Sequence, residues 1–431
     1  MHIEQYMKVI KVFEYSSLVV NANFTQKHFE QLVLYNERHG NKYFNVGNKR
    51  IYFKNYVGVL QVGNLVIEIL PKTDNSDTEE IKNKWHNALI YMLHICGYIN
   101  IDTVTRANLQ LQSTTLIELF YKLFLDEVKD IVHQGLTRAY RYQINNRPHL
   151  KGRLIFNKHI AENYLHKEMF YTSAQVYDHN NTYNQILCKA LRVLKNNNKG
   201  NRYYNDICNL LYNFEGIKNI EVNDKTFETL KYSRNNITYE SAITLARMIL
   251  QNYSPDLKSG VNNVINILFD MNILFEKVVY RLLKKYESEY SQIKLKLYAQ
   301  SSKRFWNNRS IRPDILGEYI SIDDKSKQTF ILDTKWKKPK NNNPNDDDLK
   351  QMYVYNIHFG SNKSVLIYPK CKNSEIMQQP YNSSIAVCPE YHNHSCSTFF
   401  IDLFDENGAI NKNAGKELFE FIFEKDMSPV I

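Results

Sequence analysis

Two stretches near the C-terminal end, Arg312-Pro313-Asp314-Ile315-Leu316 and Phe330-Ile331-Leu332-Asp333-Thr334-Lys335, hold the residue types in this chain best suited to chemistry. Each joins a charged group to a short, β-branched apolar run, the pattern of a strand that carries a carboxylate at one end. Side chains alternate between the faces of a strand, so Asp333 and Lys335 are expected on the same side. Two carboxylates, with the Thr334 carbonyl as a further oxygen, can hold a hard divalent cation such as Mg²⁺. A neighbouring ammonium can orient or help to deprotonate an attacking water and offset charge on a phosphate. The reaction such a set suits is hydrolysis of a phosphodiester.

The surrounding pattern supplies elements to position these groups. From Leu274 to Leu283 the apolar residues Phe275, Val278, Val279 and Leu282 fall on one helical stripe. Ile293 to Tyr298 alternates as a half-buried strand, and an Asn- and Asp-rich loop after Lys335 leads into a helix from Asp348. Ser364 to Pro369 reads as another strand. The predicted order is therefore helix, three strands, helix, strand. It resembles the PD-(D/E)XK nuclease core, with Asp314 as the first acid and Asp333-Thr334-Lys335 as the D-X-K element. Glu276 matches the acid often carried on that superfamily's first helix, and Gln351 with Tyr355 matches the Q-x-x-x-Y signature of its RecB-like branch. A lone D-X-K more often marks a strand ending in solvent; here the ordered combination carries the weight. The resemblance implies Asp314, Asp333, Lys335, Glu276 and Gln351 as catalytic residues, with Asp314, Asp333 and the Thr334 carbonyl as Mg²⁺ ligands.

Composition sets the frame. With 431 residues the chain can bury more than one core, and 43% hydrophobic content suits a globular protein rather than a disordered one. A formal charge of +10 favours a polyanionic partner, though such a surplus often only aids solubility. No apolar run approaches the roughly 20 residues of a membrane span, and the N-terminus lacks the pattern of a signal peptide. Six cysteines without regular spacing suit a reducing cytoplasm. Cys388, His392, His394 and Cys396 are close enough in sequence to be zinc ligands, but their spacing fits no standard site, so ordinary buried thiols are the preferred reading. No phosphate-binding G-x-x-x-x-G-K-[ST] loop is present.

The N-terminal part reads as β-rich. Tyr56 to Val62 and Leu65 to Leu70 are joined by a tight turn at Gly63-Asn64. From Ile81 the pattern becomes helical, notably over Trp85 to Ile95, Thr115 to Val132 and from Tyr183 onward. Between these helices, Arg138, Tyr140, Arg141, Lys151 and Arg153 form a basic, tyrosine-interleaved segment. It suits contact with DNA phosphates, with an acidic protein partner, or with solvent alone.

Several of these segments together resemble the McrC family, the nuclease subunits of McrBC restriction systems specific for 5-methylcytosine. They are Tyr56-Val57-Gly58-Val59-Leu60 with Ile67-Glu68-Ile69-Leu70-Pro71-Lys72, Gly135-Leu136…Arg138…Tyr140 with Leu150-Lys151-Gly152-Arg153, and Asp178…Asn184…Ile186-Leu187. Lys151 stands where the family commonly has arginine, and the chain carries an extension from about Asn373. The resemblance implies DNA as substrate and an AAA+ GTPase of McrB type, assembled as a hexameric ring, as partner. GTP would be bound by that partner, whose hydrolysis this chain would stimulate. The expected fold is a multidomain mixture of α+β and α/β: a β-rich docking region at 1–75, a mainly helical adaptor at 76–250, and a PD-(D/E)XK domain at 251–431 with a mixed sheet flanked by helices. The Gly63-Asn64 hairpin is the candidate partner contact. A stand-alone repair or recombination nuclease, and a non-catalytic AAA+ adaptor, are the competing readings.

Overall fold

A computed structural model describes residues 8–72, 77–100, 115–198, 202–251, 253–254, 264–289, 294–320, 325–371, 374, 376–381 and 394–423. Contacts divide the chain into two compact units that do not follow sequence order. One comprises Met1–Lys8, Gln61–Asn64 and Ile117–Ile267; the other comprises Val9–Leu60, Leu65–Leu116 and Leu268–Ile431. Most of the N-terminal β-region thus shares a unit with the C-terminal acids.

The second unit is built around a mixed six-stranded sheet. Its strand order is Lys296–Ala299, Ile315–Ile320, Lys327–Thr334, Lys363–Pro369, Ser395–Ile401, Gln378–Pro380. The first three strands are antiparallel neighbours, and Lys327–Thr334, Lys363–Pro369 and Ser395–Ile401 run parallel. Parallel strands are covered on both faces, so they read as continuous apolar runs rather than alternating ones; Val365 to Pro369 is buried throughout. The helices Met271–Lys284, Asp346–Phe359 and Ala414–Phe423 pack against strands of this sheet or each other. Gly317 lies opposite Phe330, and a Cβ there would come within 2.1 Å of the Phe330 ring, so only glycine lets that buried ring cross the strand pair.

Each predicted element from Leu274 to Pro369 is present, with shifted ends. The strand expected from Ile293 begins at Lys296, and the second helix begins at Asp346, where the Asn345 side chain caps it by accepting from Asp348 N at 2.8 Å. A further two-stranded ribbon, Lys303–Trp306 with Arg309–Ile311, stands between the first two sheet strands in sequence.

Every residue of the strands Tyr56–Val62 and Leu65–Leu70 is buried, and Gly63 turns between them at φ +59°. Glu68 shows why this segment carries an acid in an otherwise apolar run. It is fully buried, lies 3.2 Å from His86 Nδ1 and accepts from Leu116 N at 2.5 Å. Burial pushes its carboxyl up, but these partners prevail and hold it below the ordinary carboxylate range. It therefore ties the strand to the helix Glu79–Ile95 and to the start of Leu116–Gln134.

In the first unit, Ala139–Arg147, Phe170–Asp178 and Arg153–Leu154 form a three-stranded antiparallel sheet with Phe170–Asp178 in the middle. Helices Thr182–Asn197 and Tyr239–Gln251 pack together beside it in sequence. Buried Asn184 donates to the carbonyls of Thr137 and His179 and accepts from the Tyr239 hydroxyl, at 3.0, 2.8 and 2.8 Å. All three bonds brace the turn into the helix, a scaffold role for that asparagine. Among the described residues, no helix is long and apolar enough to cross a membrane.

Candidate active site

Asp314 immediately precedes the strand Ile315–Ile320, and Asp333 lies near the end of Lys327–Thr334. The pair Ile315↔Leu332 sets the antiparallel register, so continuing it by one residue puts Asp314 opposite Asp333. Asp314 Oδ2 accepts from both Thr334 N and Thr334 Oγ1 at 2.7 Å. These bonds to an anion are each worth about 1.5–3 kcal/mol net and fix the carboxylate in place.

Asp333 is 2% exposed. Its Oδ2 lies 2.6 Å from Lys335 Nζ, a buried ion pair, and takes no further hydrogen bond among the described residues. Burial, then the charge of Asp314, raises the Asp333 carboxyl to about 7 against the opposing pull of Lys335. Burial alone would lower the Lys335 ammonium. The Asp333 charge and contact, with Asp348 and Asp314 adding, outweigh it and hold Lys335 above its ordinary value. The acidic neighbours thus favour the protonated form of Lys335.

Lys335 Nζ also donates to Gln351 Oε1 at 3.1 Å. Gln351 Nε2 donates to the Tyr355 hydroxyl at 2.7 Å, and Tyr355 donates to the Arg312 carbonyl at 3.0 Å. The Gln351…Tyr355 pair, one turn apart on Asp346–Phe359, therefore connects the lysine back to the residue two before Asp314. Glu276 accepts from Gln300 Nε2 at 2.9 Å, and Gln300 N donates to the Asp314 carbonyl at 2.8 Å. Burial and then the Asp314 charge raise the Glu276 carboxyl. The structure thus gathers Asp314, Asp333, Thr334, Lys335, Gln351 and, through Gln300, Glu276. An open groove of about 740 Å³ borders this set, with Arg312, Lys350, Gln351 and Tyr355 among its walls.

The oxygen donors fit Mg²⁺. Asp333 Oδ2, whose close charged partner is Lys335 Nζ, is a buried carboxylate oxygen, the donor type that a hard cation takes. Among the described residues no group of three or more His, Cys, Asp or Glu side chains converges as a metal cage. Two carboxylates with water filling the remaining positions are the usual Mg²⁺ arrangement.

Sequence reasoning passed over Asp348, which lies 2.6 Å from Lys337, 4.0 Å from Lys335 and 3.3 Å from the Tyr368 hydroxyl. Its position three residues before Gln351 was the available signal, obscured because an acidic run at a helix start reads as a cap. Trp336 and Glu14 were also missed: the Trp336 indole Nε1 donates to Glu14 Oε1 at 2.6 Å.

The remaining predicted positions lie elsewhere. Arg141 makes a two-pronged contact with Asp178, the closest at 2.6 Å, and Arg138 Nε donates to His179 Nε2 at 3.2 Å. Tyr140 is 69% exposed and packs at a tilt beside Tyr177, while Lys151 and Arg153 are exposed. Gly152 between them has φ +77°, and a Cβ there would meet Ser173 O at 2.4 Å, which gives this glycine a structural reason. Of the Gly63-Asn64 turn only Asn64 is exposed, and its carbonyl accepts from Lys8 N. His394 and Cys396 are buried, with burial pushing the histidine down and the thiol up. Cys388 and His392 lie outside the described residues.

Fold and site together define a mixed α/β protein whose sheet carries two carboxylates and a lysine at adjacent strand ends. The pattern of one family, described as "McrBC 5-methylcytosine restriction system component", matches residues 51–369, and the chain belongs to that family. Its fold is similar to a chain in the structure titled "Refined half-complex from tetradecameric assembly of Thermococcus gammatolerans McrB AAA+ hexamers with bound McrC". The TM-score is 0.66 at 19% identity, covering 96% of this chain and 100% of that one. A chain in "Cryo-EM structure of the Thermococcus gammatolerans McrBC complex" aligns over 64% of this chain and 87% of its own, at 21% identity and TM-score 0.48. No curated protein matches the chain.

Proposed function

We propose that this chain is the nuclease component of an McrBC-type restriction system, hydrolysing DNA phosphodiesters with Mg²⁺ in a cytoplasmic complex with an AAA+ GTPase. The observation that carries the reading is the register that sets Asp314 opposite Asp333, with Lys335 beside them and held by Gln351. Membership of the restriction-system family and likeness to a chain solved with McrB AAA+ hexamers support the partner. The PD-(D/E)XK reading of the core rests on the order of elements around these residues.

Asp314 and Asp333 would hold Mg²⁺ with the Thr334 carbonyl. When bound, the ion would supply charge neutralisation at the phosphate and leaving oxygen. Lys335, kept protonated by its acidic neighbours, donates to the attacking water or a non-bridging oxygen and so orients the nucleophile. Gln351 and Tyr355 fix the direction of that donor. Glu276, with its raised carboxyl, is suited to accept a proton through water rather than to add charge beside Asp314. Arg312 and Lys350 in the groove neutralise backbone phosphates, which positions DNA without reading its sequence.

The test is cleavage of methylated and unmethylated plasmid with Mg²⁺, with and without the AAA+ partner and GTP. Cutting that needs partner and GTP, and disappears in Asp333→Ala and Lys335→Ala, is expected. Both variants should still stimulate the partner's GTPase. Cleavage by the chain alone would instead establish an autonomous nuclease. GTPase stimulation without cutting on any DNA would leave an adaptor.

A further inference from the structure

The ribbon Lys303–Trp306 with Arg309–Ile311 has no place in the chemistry above, yet it runs directly into Arg312-Pro313-Asp314. Its turn is tight, with Asn307 at φ +48°, and a register shift lies between Arg304 and Trp306. Short ribbons lack a core of their own and survive only when anchored. One end of this one is anchored. Lys303 Nζ donates to the His358 carbonyl at 3.0 Å and sits 4.7 Å above the Phe359 ring, Phe305 meets the edge of His358, and Ile311 packs on the sheet core.

The remainder faces water. All four residues of Lys303–Trp306 are exposed, and so are Arg309 and Ser310. Trp306 is 67% exposed, whereas Trp85 and Trp336 are 5% and 6% exposed. Trp306 pairs across the ribbon with Arg309, so the two side chains share a face. Arg304 and Arg309 form no ion pair among the described residues. The groove beside the acids is walled on one side by Phe305 and Arg312 from this segment and on the other by the helix bearing Lys350 and Gln351; Asp347 is the acid among its walls.

An exposed indole beside guanidinium groups that form no ion pair among the described residues matches a polyanion with stackable faces. We propose that this ribbon is a DNA-gripping element: Arg304 and Arg309 contact backbone phosphates and Trp306 stacks on a base next to the bond presented to Asp314 and Asp333. Charge complementarity and continuity with the acids select DNA over a second protein surface. The proposal rests on the nuclease reading for its substrate.

Binding can be separated from cutting by measuring anisotropy of a labelled duplex with the full chain without Mg²⁺. Trp306→Ala should weaken binding about three- to tenfold, since part of what stacking on a base contributes is offset by unstacking that base from the duplex. Arg304→Ala and Arg309→Ala should each lower the slope of log affinity against log salt by about one. Duplex should quench the long-wavelength tryptophan emission, which belongs to Trp306, and Trp306→Phe should abolish that signal while keeping most of the affinity. Wild-type affinity in Trp306→Ala, or unquenched emission at saturation, would overturn the proposal. So would a change of oligomeric mass in Trp306→Ala with DNA affinity intact, which would assign the face to protein contact. If the chain cuts normally but Trp306→Ala binds and cuts like wild type, only the ribbon proposal fails. If no DNA is ever cut but the ribbon variants lose affinity, only the nuclease reading fails.

Discussion

At the scale of single residues, the site depends on keeping a buried carboxylate available. Asp333 binds its proton more tightly in the folded chain than in the unfolded one, because burial and Asp314 raise it to about 7. A group raised on folding contributes stability below its unfolded value near about 4, and that contribution is lost as pH rises through about 7. If Mg²⁺ is held here as proposed, it needs the ionised form, so cation and proton would compete for the same oxygen. The expected outcome is that Mg²⁺ raises the melting temperature more at about pH 8 than at about pH 5. Asp333→Asn should lose that Mg²⁺ effect at both pH values. An equal Mg²⁺ shift in wild type and Asp333→Asn, followed by calorimetry, would move the metal away from this residue.

Elements carry the next level of control. Trp336 follows Lys335 directly, is packed 5.0 Å from Phe275 and 6.1 Å from Trp85 between ring centroids, and its indole N–H is held by Glu14. Glu14 Oε1 also accepts from Lys72 N at 3.0 Å, so one buried carboxyl joins the start of the chain, the end of the strand Leu65–Leu70 and the lysine-bearing segment. Glu14→Leu and Trp336→Phe should each lower kcat for cleavage about tenfold while leaving KM for DNA within about twofold, as expected for displaced catalytic geometry. Glu14→Gln, which keeps the acceptor, should retain most activity. If Gln falls as far as Leu, the charge rather than the hydrogen bond matters. This link illustrates the limit of reading sequence: Glu14 and Trp336 are 322 residues apart, and no local pattern pairs them. The acids were legible because Asp314 and the Asp333-Thr334-Lys335 run end apolar strands, and Gln351…Tyr355 because helix spacing brings them to one face. The ribbon at Lys303 was not, since exposed strands have no buried face to impose a period. The helix Gln26–Arg38 was likewise passed over, because only three of its residues, Leu32, Tyr35 and Asn36, are buried, leaving a weak stripe.

At the scale of the whole molecule, the question is where an AAA+ ring would take hold. The Gly63-Asn64 turn was the expected contact, but the strands on either side of it are wholly buried and Asn64 alone is exposed. The first unit offers more surface. Tyr140, Tyr142 and Ile144 alternate along Ala139–Arg147, are 69%, 73% and 51% exposed, and are joined by Tyr177, 55% exposed, from the neighbouring strand. Four such side chains on one sheet face form an apolar patch that solvent disfavours, and aromatic side chains dominate the energetics of protein interfaces. The arginines beside them are committed elsewhere: Arg141 to Asp178 and Arg138 to His179. The tyrosines, rather than these two arginines, are therefore the expected anchors. Tyr140→Ser with Tyr142→Ser should therefore raise the concentration of this chain needed for half-maximal stimulation of the partner's GTPase by at least about tenfold, the loss expected from removing interface hot spots. The melting-temperature shift with Mg²⁺ should stay as in wild type, because Asp314 and Asp333 belong to the other compact unit. If stimulation is unchanged by the tyrosine pair but lost in Asn64→Ala, the ring engages the hairpin turn after all, and the exposed sheet face serves another partner.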